Sequence, residues 1–292
     1  MRAQFGRAEI MDTQLYLVDV FAQGAFTGNP LPVILGANAL SRDQMLAITR
    51  WFNMSETTFV GAPTRPDADY SVRIFTPARE LPFAGHPTLG SCRAWLAAGG
   101  KPRREDVVVQ ECGVGLVSIK RSGEQLAFAA PPLLREGPVD KEKTAELAAF
   151  LNIAVEDIVD AAWADNGPGW VVVLLKSAEK VSSLRPQKSS PTQVDIGVVG
   201  PHEKGAPADF ELRAFFSDQS GMVREDPVTG SLNASVAQWL FATGRAKGRY
   251  VAAQGRSIGH AGRIELSIDA DNQVWVGGKA VVLSGGRLQV PL

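Results

Sequence analysis

Apolar positions in this chain alternate with polar ones in short runs more often than they recur at helical spacing. Residues 14–20, 31–35, 57–60 and 68–75 read as strands. Two segments of the first half follow a helical period instead. Met45, Leu46, Ile48 and Trp51 or Phe52 form a stripe over 42–52, behind Ser41 as a preferred N-cap. A second helical pattern runs over 88–98 and stops at Gly99-Gly100. Three β-rich runs follow at 106–110, 115–120 and 125–129, and then Pro131-Pro132 breaks the pattern. Residues 135–139 read as a connector. The second half predicts a helix over 141–151, a buried strand over 170–175, an exposed Pro/Ser/Lys-rich loop over 185–193 and strands over 194–199 and 209–216. A helix over 232–242 and four runs at 250–253, 263–268, 273–276 and 279–283 complete it.

The helices over 88–98 and 232–242 carry few charges, and a helix apolar nearly all round is normally buried. Each half therefore predicts a sheet curled about one central helix. The halves also repeat. His86-Pro87-Thr88-Leu89-Gly90-Ser91 corresponds to Asp226-Pro227-Val228-Thr229-Gly230-Ser231, an offset of 140 that also pairs Arg73 with Arg213 and Phe75 with Phe215. The offset then becomes 144, pairing Trp95-Leu96 with Trp239-Leu240 and Gln110 with Gln254. A slip of four is close to one helical turn, as if the second helix were a turn longer. The predicted architecture is α/β, with a first repeat over 12–130 and a second over 131–277.

Composition narrows the class. The 292 residues hold 30 Lys plus Arg against 31 Asp plus Glu, without the basic footprint of a nucleic-acid binder. No apolar run reaches the roughly 20 residues that span a bilayer. Residues 1–10 hold two arginines and no apolar core, so they are read as a disordered extension rather than a signal peptide, the first element starting near Thr13. Cys92 and Cys112 offer no metal spacing and no disulfide framework. A cytoplasmic enzyme or binder of small molecules fits, with no nucleic acid and no membrane as partner.

The repeated motifs carry the candidate chemistry. An ionisable residue, a proline and a Gly-Ser step lead into a helix whose unpaired N–H groups attract anions. Simple capping is the alternative reading. A site where the halves meet, taking a small carboxylate or amino acid, follows from the duplication. Asn53-Met54-Ser55-Glu56-Thr57-Thr58 adds a carboxylate between a helix end and a strand; Glu56 is either a solvated loop residue or a group poised for proton transfer. Three scattered histidines, His86, His202 and His260, do not suggest a metal site; His202 is read as exposed and His260 as structural, though able to line a site.

The loop Ala25-Phe26-Thr27-Gly28-Asn29-Pro30, the segments Met54–Phe59 and Phe83–Thr88, and Glu225–Ser231 together resemble the PhzF-like isomerase family, in the family's order and over nearly the whole chain from Thr13. The resemblance implies a diaminopimelate-epimerase-like fold of two similar halves, the first completed by the C-terminal strand 278–292. It implies a homodimer, no cofactor and no metal. It implies Glu56 as general acid/base, with His86 and Asp226 as its catalytic partners. Gly85, Gly230, Ser231 and Asn29 would bind the substrate, the two glycine backbones holding its carboxylate. The implied reaction moves a proton between carbons of a small unsaturated acid. The competing readings are a related racemase or epimerase, which places a thiol at each helix head where this chain has His86 and Asp226, and a non-catalytic small-acid binding protein.

Overall fold

The computed structural model describes residues 10–218 and 220–291. Two compact units divide the chain. One contains residues 10–19, Pro30–Ile119 and residues 281–291; the other contains Val20–Asn29 and Lys120–Ala280. Residues 1–9 of the expected extension lie outside the described residues.

The elements run in chain order β1 (Ile10–Val20), β2 (Asn29–Leu35), α1 (Arg42–Phe52), β3 (Thr57–Gly61), β4 (Tyr70–Phe75), β5 (Glu80–Leu81), α2 (Gly85–Ala97), β6 (Val107–Cys112) and β7 (Gly115–Ser122). Then come β8 (Gln125–Ala129), β9 (Arg135–Pro138), α3 (Lys141–Leu151), β10 (Ile158–Asp165), β11 (Val171–Leu175), α4 (Ala178–Ser183), β12 (Asp195–Pro201) and β13 (Phe210–Ser217). The chain closes with β14 (Val223–Asp226), α5 (Gly230–Ala242), β15 (Arg249–Gln254), β16 (Gly262–Ile268) and β17 (Val274–Pro291).

In the first unit β3 runs parallel to β2 and antiparallel to β4, and β4 runs antiparallel to β5 and parallel to β6. The parallel β4–β6 pair needs a crossover, which contains α2. Nine of the thirteen α2 residues are buried. Ser91 donates to Thr58 at 2.8 Å, and Gln110 ties Thr88 to the hydroxyl of Tyr70. α1 begins with a reciprocal capping box, Ser41 with Gln44, and ends at Asn53 in the left-handed region (φ 52°). Its apolar face closes a layer of Ile34, Leu40, Met45, Phe59, Phe75 and Val290.

The second unit repeats this topology. β12 runs parallel to β11 and antiparallel to β13; β13 runs antiparallel to β14 and parallel to β15, with α5 in the crossover. Leu147, Phe150 and Leu151 of α3 pack with Val171, Val173, Val198 and Phe215 of the sheet. Each unit carries the same brace: Arg73 grips Glu80 with two hydrogen bonds of 2.7 Å, and Arg213 grips Glu225 at 3.0 and 2.6 Å. Both guanidinium groups also lie over the phenylalanine two residues on, Phe75 and Phe215.

Several expectations change. The first strand starts at Ile10, ahead of Thr13. Residues 135–138 are strand β9, paired with β10 from Ala162 to Asp165, rather than a connector. The runs at 273–276 and 279–283 are one strand, β17. Its Gly277-Gly278 is not a turn: a Cβ on Gly278 would lie 2.6 Å from the Phe21 ring, so glycine here permits close packing. The unit division falls after Ile119 because β8 pairs with Trp275–Lys279. Residues 20–29 join the second unit because Arg263 and Ala261 donate to the carbonyls of Phe21 and Thr27. α2 and α5 have the same length, thirteen residues, so α5 is not a turn longer. The slip of four arises elsewhere. His86-Pro87 lies inside the first turn of α2, whereas Asp226-Pro227 precedes α5. Among the described residues no helix is long and apolar enough to cross a membrane.

Candidate active site

Glu56 stands between the left-handed end of α1 and the first residue of β3, so its position is set by a helix stop and a buried strand start. Its side chain keeps 16% of its exposure, against 5% for His86, the second residue of α2. The Glu56 Oε2 and His86 Nε2 atoms are 3.5 Å apart, the outer edge of hydrogen-bonding distance. Burial pushes His86 down to about 3, so its ring is neutral near pH 7. A neutral imidazole beside the carboxyl group is the state that burial favours. Gly85, the first residue of α2, is buried, and the N-cap residue Ala84 has no side chain able to cap.

In the second unit Asp226 ends β14. Its Oδ1 accepts from Asn29 Nδ2 at 3.2 Å and its Oδ2 from the Thr229 hydroxyl at 2.6 Å. The same Asn29 amide donates to the Val228 carbonyl at 3.0 Å. Buried Gln254 at the end of β15 accepts from Thr229 N (3.0 Å) and Asn233 Nδ2 (2.8 Å) and donates to Asp226 O (3.1 Å) and Thr229 Oγ1 (2.9 Å). Gly255 sits at φ 92°, where a Cβ would meet the Pro227 carbonyl at 2.5 Å. A tight, polar-lined turn therefore aims Asp226, and only glycine fits against it. His260 Nδ1 donates to the Gly28 carbonyl at 2.8 Å, beside Asn29. At the head of α5, Gly230 is its first residue and Ser231 its second. Ser231 Oγ accepts from Trp170 Nε1 at 3.1 Å, and its carbonyl accepts from Asn166 at 2.9 Å.

The structure thus brings Glu56 and His86 together within one unit, and Asn29 and Asp226 within the other. His86 and Asp226 do not occupy equivalent places: the one lies inside its helix and the other before it. Thr229, Gln254, Trp170 and Asn166 escaped sequence reasoning. The Gln110–Gln254 match was visible, but its meaning was not, because a glutamine clamp joins residues more than twenty positions apart.

A mixed sheet with a buried crossover helix, present twice, is an architecture shared with solved proteins. A PhzF-family phenazine biosynthesis protein of Enterococcus faecalis superposes with a TM-score of 0.77 at 25% identity, covering 96% of this chain and 100% of that one. A hydroxyproline epimerase of Agrobacterium vitis shares the fold alone, with a TM-score of 0.60 at 14% identity over 96% of this chain and 93% of that one. The fold class is therefore that of the PhzF, proline-racemase and diaminopimelate-epimerase-like proteins. Among curated relatives, "Antisense-enhancing sequence 1" of Schizosaccharomyces pombe is 34% identical, covering 92% of this chain and 96% of the relative. The trans-2,3-dihydro-3-hydroxyanthranilate isomerase of Pseudomonas chlororaphis is 31% identical, covering 93% and 98%. Residues 18–286 match the PhzC-PhzF family, described as phenazine biosynthesis-like protein, and the chain belongs to that family. Its class of enzyme is isomerase.

Proposed function

We propose that this isomerase moves a proton between carbons of a small unsaturated carboxylic or amino acid, with Glu56 as the general acid/base and no cofactor. The observation that carries the reading is the largely buried Glu56 carboxyl beside neutral His86. Abstracting a proton from carbon needs a base near that carbon and donors for the charge that develops. Glu56 takes the proton from one carbon as carboxylate and returns it to a second carbon on the same face as the acid. His86, held neutral, keeps a polar ring beside the carboxyl without fixing it in an ion pair. Asp226, with Asn29 behind it, contacts the substrate's amino or hydroxyl group. Gly85 at the head of α2, and Gly230 and Ser231 at the head of α5, each suit a carboxylate, since neither N-cap side chain takes up the first-turn amides. The substrate named for the Pseudomonas chlororaphis relative belongs to this class. The protein acts in this reading as a cytoplasmic homodimer.

A thiol-based racemase is disfavoured, because Cys92 is buried within α2 and Cys112 ends β6, neither at a helix head. A pure anion binder gains nothing from a carboxyl group at position 56. The test is exchange of substrate C–H for deuterium in heavy water, over a panel of small unsaturated and amino acids. Wild type exchanges at least one acid, and Glu56→Gln abolishes that exchange while its circular dichroism is unchanged. Exchange by Glu56→Gln at the wild-type rate removes Glu56 from the mechanism.

A further inference from the structure

We infer that Thr229 is a positioning residue for Asp226, and that Gln254 sets the direction of its hydroxyl proton. The inference rests on the reading that Asp226 touches substrate. Thr229 occupies the N-cap of α5, a position where threonine normally accepts a hydrogen bond from its own helix. It makes no such cap bond. Its hydroxyl lies instead 2.6 Å from Asp226 Oδ2 and 2.9 Å from Gln254 Nε2.

The direction of that hydroxyl follows from the glutamine. A backbone N–H only donates, so Thr229 N fixes Oε1 as the Gln254 atom it meets, and Asn233 Nδ2 approaches the same oxygen. Nε2 must then face Asp226 O, a carbonyl that only accepts, and Thr229 Oγ1. With an amide hydrogen arriving at Oγ1, the one hydroxyl proton is sent to Asp226 Oδ2. Asn29 meets the other oxygen with an amide hydrogen. Both carboxylate oxygens thus accept, which fixes the orientation of the group. Gln254 is 1% exposed and Thr229 8%, so water competes poorly for these bonds.

Threonine-labelled protein tests the relay directly. The Thr229 hydroxyl proton should be protected and downfield-shifted in proton NMR, and Asp226→Asn should move it upfield; no protected hydroxyl signal, or no response to Asp226→Asn, overturns the inference. Kinetics supply the second test. Thr229→Val should lower kcat about 10- to 100-fold, the usual worth of a hydrogen bond to a charged group, with KM changed less. Thr229→Ser should restore kcat to within about threefold of wild type, because the hydroxyl returns. Gln254→Met removes the amide without adding a buried charge, and added to Thr229→Val it should lower kcat little further, since the relay is already broken. Wild-type kcat in Thr229→Val, equal losses in the Val and Ser variants, or additive losses in the double variant each overturn it. The NMR signal needs no turnover, so this relay and the proton-transfer reading can fail separately.

Discussion

Burial decides the state of His86, and that has a price in acid. The unfolded chain protonates this imidazole near 6.5, the folded protein only near 3. Between those values the unfolded state binds more protons, so stability falls as pH falls, on the order of 1 kcal/mol per pH unit. Above 6.5 the effect is absent. His86→Gln should therefore flatten the pH dependence of the urea midpoint between pH 6 and pH 4 relative to wild type; parallel curves would show that the folded ring accepts a proton as readily as the unfolded one. At this scale the sequence was informative where a motif singles out a residue as a candidate. Glu56, His86, Asn29 and Asp226 stood out through their motifs. Thr229 and Gln254 did not, because a threonine before a helix looks like an ordinary cap until its hydroxyl is seen pointing at a carboxylate.

At the scale of elements, the two braces make a controlled comparison. Arg73 and Arg213 grip a glutamate on the neighbouring strand in the same two-bond geometry, but their side chains are 41% and 7% exposed. Arg213 also donates to the Leu184 carbonyl at 2.9 Å, tying the end of α4 to the sheet. Arg213→Met should cost about 3–5 kcal/mol, because it leaves Glu225 buried without its cation. Arg73→Met should cost no more than about 1 kcal/mol, since Glu80 keeps contact with water. Chemical denaturation of the two variants checks this, and equal losses would refute the argument from burial. Elements with strong local signals were legible: α1 and α3 begin and end where the caps Ser41, Asn53, Asp140 and Asn152 require. Short or mixed ones were not. β10 reads Ile-Val-Asp-Ala-Ala-Trp-Ala-Asp, with two aspartates and no clean alternation. α4 is a helix of six residues, too short to show a period. α2 begins three residues ahead of its predicted start because Gly85-His86-Pro87 resembles an approach to a helix, although proline is at home in a first turn.

At the scale of the molecule, the duplication could be read from sequence, but its bookkeeping could not. Identity of the two motifs suggested equivalent helix heads, whereas backbone position puts the His86 motif one turn further into its helix. The expected assembly is a homodimer, and light scattering should give about twice the 31.2 kDa chain mass. A concentration-independent monomer would remove that part of the family resemblance.

β17 serves both units, with Val274–Ala280 in the second and the stretch from Val281 in the first. Leu288 and Val290 fill the layer under α1. During synthesis, then, the unit that emerges first from the ribosome is completed last. Its apolar layer waits, unsealed, while every residue of Lys120–Ala280 is translated. Until that strand is made, the layer of Met45, Phe59 and Phe75 lacks Leu288 and Val290.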